Sequence, residues 1–243
     1  MIDTRHPALL VAFIAVVALL GTAVIAGASL AWEGEDIPLL AALTALAVVC
    51  EIADFSPFPN SRSSLSVALI LAAGTVSGLP GVAVVASVAA IADFAAHRKA
   101  FDQRIVPSLS KATFNLGALL ISGAAYVGVL EAFSSTRDPG DWVASLGPGL
   151  LGAAAAFALN SSLLALAISL ETGRRPVDVW NLHCRWALPH FLLFGVLAVF
   201  LAAAYDRWDL AGLAVLLAPL CMAWLAMKQH ADRASRADLI IRH

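Results

Sequence analysis

Charge is what this chain has least of. Asp, Glu, Lys and Arg make up 13% of its 243 residues, against about 25% in a water-soluble domain. That scarcity excludes an ordinary soluble enzyme and a disordered chain. The 15 Lys and Arg face 17 Asp and Glu. No basic patch of the kind that grips phosphates can be drawn from them, so nucleic acid is excluded as a partner. Cysteine is scarce as well. Three cysteines without a CxxC pair make neither a disulfide framework nor a zinc site. Cys50 and Cys221 lie in apolar runs and read as small hydrophobes. There is no GxSxG, no P-loop and no Ser-His-Asp ordering, so no catalytic residue and no cofactor is assigned.

What the chain has is apolar length. Sixty per cent of it is apolar, and a spanning helix needs about 20 mostly apolar residues. Eight stretches approach this, at about 7–31, 38–54, 64–79, 80–97, 109–132, 142–170, 186–205 and 208–228. In lipid every backbone N–H and C=O must be satisfied within the segment or a closed barrel. The stretches do not alternate as barrel strands do, so they are helices. The expected fold is an all-α polytopic membrane bundle of about eight transmembrane helices. It occupies residues 1–228, and a short helical tail follows at 229–243. Ser77-Gly78-Leu79-Pro80-Gly81, between the third and fourth stretches, suits a tight turn.

Orientation follows from Lys and Arg. With both termini cytoplasmic, 13 of the 15 basic residues fall on the inner side, and only Arg137 and Arg207 fall outside. Residues 1–31 also read as a signal peptide, with Ala26-Gly27-Ala28 as a cleavage site, which would leave seven spans. Gly74-x-x-x-Gly78 and the run 149–158 permit close helix approach, within one bundle or across a homodimer. No internal repeat of the transporter kind is visible.

The informative residues are polar ones within apolar segments, because each is costly to insert. Glu51 and Asp54 end the second span on one helix face. Ser63 and Ser66 open the third span. Asp93 precedes the inner end of the fourth, and Asn115 lies about a turn into the fifth. Trp186, Pro189 and His190 sit at the inner end of the seventh, where the proline should bend the helix. Asn160 is deeper, near the mid-plane. Together they outline a polar layer in the cytoplasmic half, a candidate ligand or switch site. Each residue also has a plainer reading, as a helix cap or a side chain reaching for water. Glu51, Asp54, Asp93 and His190 suit a divalent ion chemically, but no HExxH spacing supports a metal, and none is assigned.

Several of these residues form a recognisable order. Glu51, Pro57 and Pro59 precede Ser63-Ser64-Leu65-Ser66. Gly-Leu-Pro-Gly, Ala90-Ile91-Ala92-Asp93 and Phe114-Asn115 follow. Asn160-Ser161-Ser162-Leu163, Trp186 and Leu188-Pro189-His190 complete it. Over roughly residues 37–230 this resembles the multi-pass membrane sensor region found N-terminal to bacterial HD-GYP phosphodiesterase and GGDEF cyclase domains. Neither an HD pair with GYP nor a GGDEF motif is present in this sequence. The resemblance therefore implies a sensor or regulatory module of the bacterial inner membrane without an output domain of its own. Its partners would be the bilayer and a separate cytoplasmic output protein met through residues 228–243. A transporter or substrate-capture subunit working with a separate ATPase is the alternative. An enzyme acting on lipid is a third reading, with no chemistry specified.

Overall fold

The computed structural model describes residues 7–32, 34, 37–52, 65–97, 105–133 and 142–241. The regular structure among them is helical throughout: α1 (Pro7–Leu30), α2 (Ile37–Ile52), α3 (Ser66–His97), α4 (Ile105–Ala132), α5 (Trp142–Thr172), α6 (Pro176–His183) and α7 (Leu188–Ile241). A 3-10 turn at Arg185–Ala187 joins α6 to α7. Five stretches are long and apolar enough to cross a membrane, within α1, α3, α4, α5 and α7. The membrane helical class is as expected.

Two of these helices double back. α3 leaves helical geometry at Gly78 (φ 60°, ψ −142°). Eight residues of straight helix rise about 12 Å. Yet a Cβ on Gly81 would strike the carbonyl of Ala73, and one on Gly74 would come within 2.9 Å of Val82 Cγ2. The chain therefore reverses at Gly78, and Pro80 sits in the first turn of the returning arm, where its missing N–H is harmless. α7 reverses at Trp208 (φ −138°, ψ 16°) and Asp209 (φ 51°, ψ −142°). Here a Cβ on Gly212 would strike the carbonyl of Ala204. The expected boundaries at 79/80 and 205/208 fall at these reversals.

The tally of eight crossings turns on two short elements. The arm 66–77 is about 18 Å long and α2 about 24 Å, both less than the roughly 30 Å hydrocarbon core. Of the five long apolar stretches, those in α3 and α7 each contain a reversal and so hold two arms.

The two reversals are one device used twice. Gly78-Leu79-Pro80-Gly81 and Asp209-Leu210-Ala211-Gly212 share Leu at the second position and Gly at the fourth. In each the first residue takes positive φ, and the fourth is a glycine beneath the carbonyl of the residue eight before it. The sequence shows no repeat of the transporter kind. Asp209 occupies backbone space that suits glycine, at a cost of order 1–3 kcal/mol. Asp209→Gly should therefore raise the melting temperature in detergent. A lower or unchanged value would mean that the aspartate side chain compensates for its own strain.

Small residues set the register of the bundle. α1 runs parallel to α4: Phe13 meets Phe114 with ring centroids 6.0 Å apart, and Val17 and Gly21 both close on Gly117. α5 runs antiparallel to the first arm of α7. Trp142 stacks near Phe200, Gly195 lies under Gly149 and Ala153, and Phe157 meets Phe191. A Cβ on Gly195 would lie 2.5 Å from that of Ala153, so these backbones pack at the closest approach. The glycines singled out for helix approach are thus used within the chain. Pro189 is the second residue of α7, not an interior one. It bends nothing there, because a first-turn proline gives up no helix hydrogen bond. The change of direction is made by the 3-10 turn before it.

Candidate functional site

The expected site residues are spread over several elements. Asp54 and Ser63 lie outside the described residues. Glu51 is half-buried in the last turn of α2, and Ser66 is buried as the first residue of α3. The Ser66 hydroxyl donates to Glu51 Oε1. This clasp closes the α2–α3 connection. It also sets a carboxylate at a helix N-terminus, where the helix dipole favours negative charge. Asp93 is half-buried on the returning arm of α3. Asn115 is exposed on α4, and Asn160 is half-buried on α5. Trp186, Pro189 and His190 are exposed where α7 begins, with Trp186 edge-on to His190 at 5.6 Å. Within the expected layer, Asn115 and His190 are exposed. Among the described residues no three His, Cys, Asp or Glu side chains gather as a metal would require.

Two polar clusters that the sequence did not single out are well formed. One is an elbow where α5 gives way to α7. Gly173 takes φ 71°, ending α5, and the Ser169 hydroxyl donates to the Arg174 carbonyl at 2.6 Å. α6 then folds back on α5. The Trp180 indole N–H donates to Ser161 Oγ at 3.0 Å, and Ser161 Oγ donates in turn to the Ala158 carbonyl at 3.4 Å. The Cys184 thiol points at the Ser161 carbonyl, 3.7 Å away. Phe157 packs edge-on to both Trp180 and Phe191. Asn160 neighbours Ser161 in sequence, so the expected deep amide lies beside this cluster. Trp180 is half-buried on α6. Its indole N–H in an apolar region, needing an acceptor, was the available signal.

The second cluster lies deep in the bundle near the Gly78 reversal. Tyr126 is fully buried, its ring against Gly74 and Gly152 and its hydroxyl near Gly149. Its hydroxyl lies 2.8 Å from Thr75 Oγ1, which donates to the Leu71 carbonyl at 3.0 Å. A threonine has one proton to give, so Tyr126 is the donor to Thr75. This relay links α3 to α4 in a place that apolar packing alone would leave free to slide. The buried hydroxyls of Thr44 and Ser77 have no partner among the described residues.

Cys184 makes the elbow chemically measurable. Burial pushes its thiol above the usual range. The neutral form is favoured in the folded state. That stability is present below the unfolded thiol value of about 8.5 and fades as pH climbs through the raised folded value. Maleimide at neutral pH should therefore label Cys184 far more slowly in folded than in unfolded protein, with the rate rising as the solution turns alkaline. Equal rates at neutral pH would show an open elbow.

Comparison with protein-family models, with curated proteins and with solved structures finds no match for this chain. Its class is a helical membrane bundle, and any activity has to be argued from its own residues.

Proposed function

We propose that this chain is a sensor or regulatory module of a bacterial inner membrane, with both termini cytoplasmic, transmitting the state of its bundle along its last helix. One observation carries the reading. After reversing at Asp209, α7 continues as helix to Ile241. That arm, 210–241, is about 48 Å long, so it exceeds the roughly 30 Å hydrocarbon core by about 18 Å. The excess holds the polar stretch with Lys228, Asp232, Arg233, Arg236 and Asp238. A rod continuous between the membrane and the aqueous phase can pass on a shift in packing. The resemblance to sensor regions preceding cyclic-di-GMP enzymes supports the same direction. The polar residues at the inner ends, Glu51 and Asp93 among them, are where a signal would bias the equilibrium. Any such signal must bind the two states with different affinity.

The test is genetic and physical together. Deleting the whole gene should shift intracellular cyclic-di-GMP. Deleting residues 229–243 should reproduce that shift while the purified protein keeps its melting temperature. If the nucleotide level responds to neither deletion, the signalling reading fails. The duplicated reversal favours a second reading, a transporter or capture subunit, since transporters are commonly built from repeats. A small molecule that stays bound through gentle purification, found by mass spectrometry, would select it.

A further inference from the structure

Two helix stripes lose their cover at one depth. On α4, Lys111, Asn115, Ala118, Ser122 and Tyr126 follow one another at the three- and four-residue steps that line up on one side of a helix. Tyr126, Ser122 and Ala118 are buried, whereas Asn115 and Lys111 are exposed. On the returning arm of α3, Val82, Ala86, Ala89 and Asp93 form a stripe of the same kind. The first three are buried, and Asp93 is half-buried. In each stripe the first residue past the covered part is polar.

The short first arm of α3 accounts for both changes. Gly74 and Thr75 of that arm meet Tyr126 on one side, and Gly74 meets Val82 on the other. Ser66 begins the arm about 12 Å from those contacts. α4 ends at Ala132, soon past Tyr126, so the longer returning arm can follow it only the other way, toward Asn115. Counted from Tyr126 and Val82, Asn115 and Asp93 each lie about 16 Å along, just past the end of the arm. Asn115 is still at membrane depth, because the spanning stretch of α4 is Leu109–Ala132 and its nearer end is about 9 Å away. A primary amide turned to hydrocarbon there would leave its polar atoms unsatisfied, and its stem is too short to reach headgroups. The opening N–H groups of a helix that starts within the bilayer, as α3 does at Ser66, likewise need protein or water.

We infer that a water-filled recess opens on the side of the membrane where α4 begins and runs up to the Glu51–Ser66 clasp, admitting small hydrophilic solutes. Lys111 stands at its mouth, Asn115 and Asp93 form its walls, and the clasp is its roof. The joint between α2 and α3 thereby meets an aqueous phase from within the bundle. The inference rests on these helices spanning a bilayer, and it stands whether or not the chain signals.

The test labels cysteine variants of the full chain in sealed membrane vesicles of either sidedness. The reagent is a membrane-impermeant cationic methanethiosulfonate, and the modified peptide is read by mass spectrometry, which separates it from the native cysteines. A thiol in hydrocarbon keeps its proton and does not react, so Asn115→Cys and Asp93→Cys should label at least about tenfold faster than Leu19→Cys. Leu19 is the comparison because it is 69% exposed in the middle of α1, where lipid is its neighbour. Both variants should label from the same side as Arg174→Cys, which is exposed just past the end of α5. That end lies with the start of α4, because Gly152 meets Tyr126 while Leu163 and Ala167 pack near Phe114 and Ala118. Ser122→Cys, on the same stripe but under the arm, should stay slow. Asn115→Cys as slow as Leu19→Cys, or labelled from the opposite side, overturns the recess. A disulfide between two copies of Asn115→Cys also overturns it, by giving the face to a second chain. Should Asn115→Cys fail to fold, Asp93→Cys decides by the same comparison. Fast labelling of Leu19→Cys as well would take the helices out of the bilayer, and the recess would fall with the membrane reading.

Discussion

Gly81→Val leaves no folded protein: the expected result is aggregation on size exclusion in detergent, where wild type elutes as a single species. The added side chain would strike the carbonyl of Ala73, and 2.9 Å away lies Ser77 Cβ. Inserting atoms into a packed core costs about 1–3 kcal/mol when flexible side chains can give way, and more when they cannot. Here the obstacle is backbone on the opposite arm of a tight reversal, so the arms must part. Gly78→Ala is milder. It places a Cβ at φ 60°, at a cost of order 1–3 kcal/mol, and it should fold with a lowered melting temperature. Gly128→Val is the control. A Cβ there meets nothing within 4 Å, so the protein should elute as wild type does. If Gly81→Val elutes normally too, the chain does not turn back at Gly78.

The second large effect is expected at Tyr126. Its ring fills the space between Gly74 and Gly152, and Tyr126→Ala should cost about 3–5 kcal/mol, as other buried aromatic truncations do. Tyr126→Phe separates the ring from the hydroxyl. It removes the bond to Thr75 while Thr75 keeps its own bond to Leu71, so no donor is stranded, and the loss should be about 0.5–1.5 kcal/mol. Adding Thr75→Val to Tyr126→Phe should then cost less than Thr75→Val alone in wild type. The measurement is reversible unfolding in mixed micelles. Additive losses would show that the two hydroxyls do not act together.

Much of the fold was legible because lipid removes choices. A long apolar stretch in hydrocarbon has to be helix, so helix positions followed from composition. Gly-Leu-Pro-Gly announced the first reversal through residues that only a turn favours. The second was harder to read, since Asp209 stands where glycine would have announced it. The Thr75–Tyr126 bond joins residues 51 apart in sequence, and no spacing rule reaches that far. The polar layer shows the limit most clearly. Counting residues along a helix gives depth in the membrane but not the direction in which a side chain points. Asn115 has the expected place along α4 and an exposed side chain. Glu51 and Ser66 were placed at the same level and do meet. α6 was missed because Asp178, Asn181 and His183 dilute its apolar content below any spanning threshold.

The parallel seam between α1 and α4 has a consequence for biogenesis. The groove that receives Val17 and Gly21 is made by Gly117 and its neighbours, about a hundred residues later in the chain. α1 leaves the ribosome before α4 and must therefore wait in the bilayer, its small residues uncovered, until α4 has been inserted. Translation order and docking order are opposed at this seam, and a chaperone or insertase that shelters early helices would have its longest task at α1.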